Sequence, residues 1–316
     1  MTQVAELVLD TASALSQGRR ERQEDALVTG FPQGGDVGIA VLSDGMGGHA
    51  AGDLASRLIV TEVFGELMLH SAEADRFRDA TPAILSHAVR GANEALRAHA
   101  EARPDCDGMG GTVIAAVVQG GGLHWASVGD SPLYLFRDGA LARLNEDHSM
   151  AAQIDLMVSE GLMDAETGRL HPQRHCLSAV LMGEEVERLD CPAEPLALLP
   201  GDVVVMASDG LQFLDDASIS AILARHAGET SDAIAAALLE SVDALDDPDQ
   251  DNVSLVVIKV SGAGASTRRG PAPFLADARA RAGARGAGAF AALRQLVAAT
   301  RQIGRASCRE RVCVGV

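Results

Sequence analysis

The sequence predicts an α+β fold in which antiparallel sheets carry helices on their outer faces. Three observations lead there. GIAVLS and DVVVMAS contain short apolar runs closed by turn residues, and these read as buried strands. Four strand-like runs follow one another closely between residues 112 and 144, with Asp138-Gly139 as a hairpin turn between the last two. Helical periodicity comes in paired segments between strands, which a simple βαβ repeat does not produce.

In chain order, strands are expected at Val4–Thr11, Asp25–Thr29 and Val37–Ser43. A helix should open near His49, because Ala55, Ile59, Val63 and Leu67 recur at four-residue steps on one face. A second helix is expected over Ala80–Ala102. Strands follow at Thr112–Gln119, Leu123–Val128, Leu133–Arg137 and Ala140–Leu144. Met150–Glu160 reads as helical and leads into a polar loop through Pro172. Further strands are expected at Cys176–Leu181, Val203–Ala207 and Val253–Val260. Between the last two lie helices at Asp216–Arg225 and Ser231–Leu245, the longer one striped by Ile234, Leu238, Val242 and Leu245.

Hydrophobic residues make up 47% of the chain and aromatics only 3%, so Ala, Val, Leu and Ile must fill the core. No apolar run approaches the roughly 20 residues of a membrane span. The first residues also lack the basic-then-apolar shape of a secretory leader, and a cytoplasmic protein is expected. Net charge is −18. Residues 262–316 hold ten Arg against two acids, Asp277 and Glu310, so residues 1–261 carry −26. So acidic a body argues against nucleic-acid binding. It suits a carboxylate-rich site that needs cations, although solubility accounts for most of the acids. The five Cys show no CxxC or Cys/His zinc spacing.

From Ser261 to about Gly288 the chain lacks Ile and Val and reads as a flexible basic linker, with a short helix expected at Phe290–Ala299. The end, IGRASCRERVCVGV, resembles a translated adaptor or vector junction. The expected division is therefore residues 1–261 as the working domain, 262–301 as a basic tail and 302–316 as an artefact outside fold reasoning.

The tripeptide Ser-Asp-Gly closes both apolar runs, at Asp44-Gly45 and at Asp209-Gly210. Asp-Gly is a common turn dipeptide, so either copy alone reads as a turn. A carboxylate at a strand end also sits at the rim of the core, where water and ligands reach it. Other acids stand at similar points: Glu24-Asp25, Asp130 in VGDS, and Asp251 ahead of the last strand. Oxygen donors without Cys or His suit hard cations, Mg²⁺ or Mn²⁺. Two such ions about 3.5–4 Å apart drive hydrolysis by activating water and stabilising charge on the leaving oxygen. A carboxylate must bridge them, and Asp44 is the candidate.

Together and in this order, R-x-x-Q-E-D from Arg20, DGMGG, GGT, VGDS, SDGL and Asp251-Asn252 resemble the metal-dependent Ser/Thr protein phosphatases of type 2C, over about Ser13–Lys259. The resemblance implies a four-layer sandwich, two antiparallel sheets flanked by helices. It implies hydrolysis of phosphoserine and phosphothreonine on proteins at two Mn²⁺ or Mg²⁺ ions, with a weaker third ion. The implied partners are phosphorylated proteins, including a eukaryotic-like Ser/Thr kinase and its substrates. No nucleic-acid or membrane partner is expected, and the chain is expected to be a monomer.

Carried over residue by residue, Asp44 would bridge the ions and the Gly45 carbonyl would be a backbone ligand. Asp209 and Asp251 would complete the first ion. Glu24 and Asp25 would engage the second, largely through water, and Asp130 would help hold the third. Arg20 would grip the substrate phosphate with its planar fork. Its rivals are Arg19 and Arg22, and only the spacing to Gln23-Glu24-Asp25 favours it. His148, His171, Pro172 and Arg174 fit the family's flap, where His171 and Arg174 read as contacts that hold it down. Gln23 stands where an Asn is usual, and Pro132 where an Arg often follows GDS.

Two other readings stay open. A catalytically idle relative of this fold would bind phosphoproteins without turnover. GMGGHA at residues 45–50 also fits the G-x-G-x-x-A dinucleotide pattern, although Asp44 directly before it would repel a pyrophosphate.

Overall fold

The structure is a computed structural model that describes residues 7–32, 37–47, 51–174 and 176–262. It opens with β1 (Leu7–Ser16), β2 (Asp25–Gly30), β3 (Val37–Met46), α1 (Ala51–Ser71) and α2 (Ala74–Ala102). Next come β4 (Gly110–Gly111), β5 (Val113–Gln119), β6 (Gly122–Val128), β7 (Leu133–Arg137) and β8 (Ala140–Arg143). A long excursion carries α3 (Met150–Ser159) and α4 (Ala165–Arg169) and ends at β9 (Leu196–Ala197). The chain then forms β10 (Val203–Ala207), α5 (Asp216–His226), α6 (Ser231–Asp243) and β11 (Val253–Gly262).

These strands form two sheets, ordered β1-β11-β10-β7-β8 and β2-β3-β5-β6-β9, with β4 added against β3. Every pairing is antiparallel. Three apolar layers separate four layers of structure. On β3, Ile39 and Val41 pack with α1 and α2, while Ala40 and Leu42 face the other sheet. On β10, Val203 and Val205 pack with α5 and α6, while Val204 and Met206 face inward. Each central strand therefore has two buried faces, which is why it reads as an unbroken apolar run rather than an alternating one.

The helix stripe on α1 is as expected: Ala55, Ile59, Val63 and Leu67 are all fully buried. Other boundaries move. Within the described residues the first strand covers Leu7–Ser16, past its expected end at Thr11, because pairing with β11 extends that far; residues 4–6 lie outside them. The second helix begins at Ala74, and Pro82 sits inside it. In α6 the stripe ends at Val242; Leu245 lies beyond the helix and is exposed. The strand expected at Cys176–Leu181 is reduced to single bridges, Ser149 with Leu177 and Gly111 with Leu181. The short α4, capped by the Asp164 carboxylate on the Thr167 N–H, falls in the segment read as a loop. His49, the tail from residue 263, the helix expected at 290–299 and the segment from 302 lie outside the described residues.

The topology gathers strand ends. Asp25, at the start of β2, stands opposite Asp44 near the end of β3. Val113, at the start of β5, pairs with Val128, the last residue of β6. The end of β10 lies against the beginning of β11. All the acid-bearing segments thus meet at one end of the sandwich. Because Leu42 is fully buried between the sheets, Leu42→Ala should cost about 2–5 kcal/mol. The measurement is the urea midpoint at constant m-value; an unchanged midpoint would contradict the inter-sheet packing.

Candidate metal centre

Asp44 is fixed by backbone on both sides. Its N–H donates to Thr112 Oγ1 at 3.1 Å, and its carbonyl accepts the Thr112 N–H at 2.9 Å. Thr112 Oγ1 lies 2.9 Å from Ser131 Oγ, which joins the GGT segment to VGDS. The Gly45 N–H donates to the Glu24 carbonyl at 3.0 Å. The glycines of the repeated Ser-Asp-Gly serve close approach. Neither has a positive φ. A Cβ on Gly45 would lie 2.0 Å from the Gly52 carbonyl oxygen, and one on Gly210 would lie 2.0 Å from that of Asn252. Any side chain at either position would push a neighbouring backbone away from the site.

Ser208, the serine of the second copy, is fully buried. Its hydroxyl donates to Asp25 Oδ2 at 2.7 Å and accepts the Ser254 N–H at 3.0 Å. One side chain thereby ties β2, β10 and β11 together beneath the acids. Asn252 is a second tie: Oδ1 accepts the Glu24 N–H at 2.7 Å, and Nδ2 donates to the carbonyls of Gln17 and Arg22 at 2.8 and 2.9 Å. This clamp holds the loop of residues 17–24 against Asp251. Gln23 fits despite its extra methylene, donating to the Ser16 carbonyl at 3.1 Å and accepting the Asp25 N–H at 3.0 Å.

Charge shows how closely the carboxyl groups converge. Burial first, then Asp209, Asp25, Asp130 and Asp251, push the Asp44 carboxyl well above the usual range. Burial, with Asp130, Asp251 and Asp25 around it, pushes Asp209 up to about 8. Asp25 is pushed up to about 6, mainly by burial, with the Ser208 hydroxyl opposing the rise. Asp130 is likewise raised to about 6, by burial and then by Asp147. Glu24 is raised by burial, and Arg20 opposes the shift.

This donor set fits a hard cation. Asp25 Oδ1 and Asp209 Oδ1 are buried without a hydrogen-bond partner. A Cβ on Gly52 would lie 3.0 Å from both Glu24 Oε1 and the Gly45 carbonyl oxygen, so these two oxygens face one space. Among the described residues, no three or more His, Cys, Asp or Glu side chains stand close enough together to hold a metal ion by themselves. A Mg²⁺-like ion here would therefore rest on one or two carboxylates, with the Gly45 carbonyl and waters completing its shell.

Arg20 donates to Asp251 Oδ2, whereas Arg19 is drawn off to Asp246. In the flap, Arg174 makes a two-pronged pair with Asp155 on α3, at 2.7 and 2.8 Å, which holds the returning loop against that helix. His171 Nδ1 accepts the Gln173 N–H at 3.3 Å. Pro132 supplies its carbonyl to the Ala207 N–H at 3.0 Å, so the local edge is still paired.

Residues 15–247 match the family described as protein phosphatase 2C. The chain belongs to that family. Serine/threonine protein phosphatase PstP of Mycobacterium tuberculosis is 35% identical over 206 residues, which is 65% of this chain and 37% of PstP. The chain thus matches well under two thirds of that relative's length. A crystal structure of the Mycobacterium tuberculosis phosphatase PstP/Ppp aligns with a TM-score of 0.64 and 32% identity, over 80% of this chain and 99% of that one. The catalytic domain of PstP in complex with two manganese ions aligns with a TM-score of 0.62 and 31% identity, over 81% and 100%. The four-layer architecture described above is therefore that of type 2C phosphatases.

Within this type 2C domain the dinucleotide alternative fails. β3 is antiparallel to both β2 and β5, so the glycine run does not open a βαβ unit. The supporting residues Thr112, Ser208, Ser254 and Asn252 went unassigned in the sequence, although the first two and the last stand inside its motifs.

Crowded carboxyls have a pH signature in metal-free protein. Asp25, Asp130 and Asp209 hold protons to about 6, 6 and 8 when folded, against about 3.9 unfolded. Between those limits the folded state binds more protons, so stability contributed below pH 4 is lost as pH rises toward 8. Chelator-treated protein should melt at falling temperature from pH 6 to 8. Asp209→Asn should flatten that trend and raise the pH 8 melting temperature, by roughly 2–4 °C per kcal/mol. An unchanged or lower melting temperature in this variant would refute the crowding.

Proposed function

We propose that this chain is a protein phosphatase that hydrolyses phosphoserine and phosphothreonine by direct attack of water, with no phosphoenzyme. The observation that carries this reading is the convergence of Asp25, Asp44, Asp130, Asp209 and Asp251, two of them with partnerless buried oxygens. Family membership and the two-manganese structure of PstP support it. Two Mn²⁺ or Mg²⁺ ions, when bound, supply an activated water and neutralise charge on the phosphate oxygens. Asp44, central among the acids, would be shared by both ions. Asp209 and Asp251 would help hold one, and Glu24, Asp25 and the Gly45 carbonyl the other. Asp25 stays close beneath, oriented by Ser208, and Asp130 borders a third position. Arg20 binds the phosphate: it lies at Asp251, and its side chain is 56% exposed.

The substrates are phosphorylated proteins, and a eukaryotic-like Ser/Thr kinase is the opposing partner. We place the reaction in the cytoplasm and the active form as a monomer. No helix among the described residues is long and apolar enough to cross a membrane.

The decisive assay is Mn²⁺-dependent turnover of a phosphothreonine peptide. Asp209→Asn should reduce it at least about 100-fold while circular dichroism stays native; near-normal turnover would refute the assignment. A fully inactive, folded wild type would favour the idle phosphoprotein-binding alternative, and a trapped phosphoenzyme would exclude direct attack by water. Arg20→Ala should raise KM about 10-fold or more, the loss of a charge-assisted hydrogen bond being about 1.5–3 kcal/mol. An unchanged KM would move the phosphate contact to Arg22.

A further inference from the structure

Three consecutive residues in the turn after β6 are each held by one side chain from a single downstream segment. His148 Nδ1 accepts the Gly129 N–H at 3.2 Å. Arg143 Nη2 donates to the Asp130 carbonyl at 2.7 Å. Asn145 Nδ2 donates to the Ser131 carbonyl at 2.9 Å. The backbone closes the same contact, the His148 N–H donating to the Gly129 carbonyl at 3.1 Å. His148 is completely buried and Asn145 is 5% exposed. The turn needs such support: Gly129 has φ +112, and a Cβ there would lie 2.5 Å from Thr112 Cγ2.

The same segment is the root of the flap. The His148 carbonyl accepts the Ser178 N–H at 2.8 Å, and the Met150 N–H donates to the Cys176 carbonyl at 2.8 Å. His148 therefore grips the Asp130 turn with its ring and the returning flap strand with its backbone. These bonds fix the main chain of residues 129–131 and leave the Asp130 carboxylate to face the other acids.

We infer that Arg143, Asn145 and His148 are positioning residues that set the Asp130 carboxylate for a cation, so that the flap root and this carboxylate move as one unit. The inference rests on the reading of Asp130 given above. Partners that orient metal-facing groups typically matter 10–100-fold in metal affinity.

The test is Mn²⁺ binding to the full chain, followed by the electron paramagnetic resonance signal of free Mn²⁺. Asp130→Asn should weaken the weakest class of sites. His148→Leu should weaken that same class about 10-fold and leave tighter binding unchanged. His148→Asn, which can again offer an acceptor near the Nδ1 position, should restore most of the loss. The double variant Asp130→Asn/His148→Leu should bind no worse than Asp130→Asn alone. If His148→Leu does not fold, Arg143→Met carries the same comparison. Wild-type binding by Asp130→Asn would overturn the reading of Asp130 itself. If Asp130→Asn weakens binding, three results would each overturn the positioning role alone: wild-type binding by His148→Leu, no rescue by His148→Asn, or additive losses in the double variant.

Discussion

Repulsion among the carboxyl groups at one end of the sandwich is the constraint on which the remaining structure depends. Asp44 feels Asp209, Asp25, Asp130 and Asp251 at once. Burial first, and then mutual repulsion, raises these carboxyls, so gathering them opposes folding in a domain whose net stability is only about 5–15 kcal/mol. Left to itself, such a group of strand ends would splay. Three apolar layers hold the four-layer stack together and supply the opposing energy. The fine positioning comes from hydrogen bonds that cross between segments. Thr112 pins Asp44, Ser208 pins Asp25 across the sheets, and Asn252 pins the Glu24 loop.

That division of labour explains what could be read from the chain alone. The acids themselves were legible because each stands at the end of an apolar run or beside a glycine, where a local pattern marks it. Antiparallel sheets with helices outside were legible from the hairpin spacing and the paired helical segments, whereas the four-layer order came from the family resemblance. The ties were not legible. Ser208 and Asp25 are 183 positions apart, and Asn252 and Glu24 are 228 apart; no local periodicity reports such a contact. Boundaries failed for a related reason. β1 extends to Ser16 only because β11 pairs with it that far. Leu245 continues the helical spacing of α6, yet the helix has already stopped at Asp243.

The repeated Ser-Asp-Gly shows how a local reading can find the right residues for an incomplete reason. As a turn signal, Asp-Gly asks for a glycine with positive φ. Gly45 and Gly210 do not adopt it. Their missing side chains instead let the Gly52 and Asn252 carbonyls close to within what would be 2.0 Å of a Cβ. The serines differ as well. Ser208 reaches Asp25, while the Ser43 hydroxyl is buried without a partner. One tripeptide thus performs two jobs, the second copy serving also as the bolt between the sheets.

Arg20 completes the electrostatic argument. It is the first basic influence on Glu24 and is hydrogen-bonded to Asp251, so it reaches both flanks of the acidic cluster. A guanidinium has five N–H donors in a planar fork, and the bond to Asp251 uses one nitrogen, Nη2. The same side chain can therefore stay anchored to the protein and still present donors to a phosphate. A lysine ammonium is a point charge without that fixed fork. It would have to divide one centre between the carboxylate and a phosphate, losing the fixed orientation that the proposed attack by water would use.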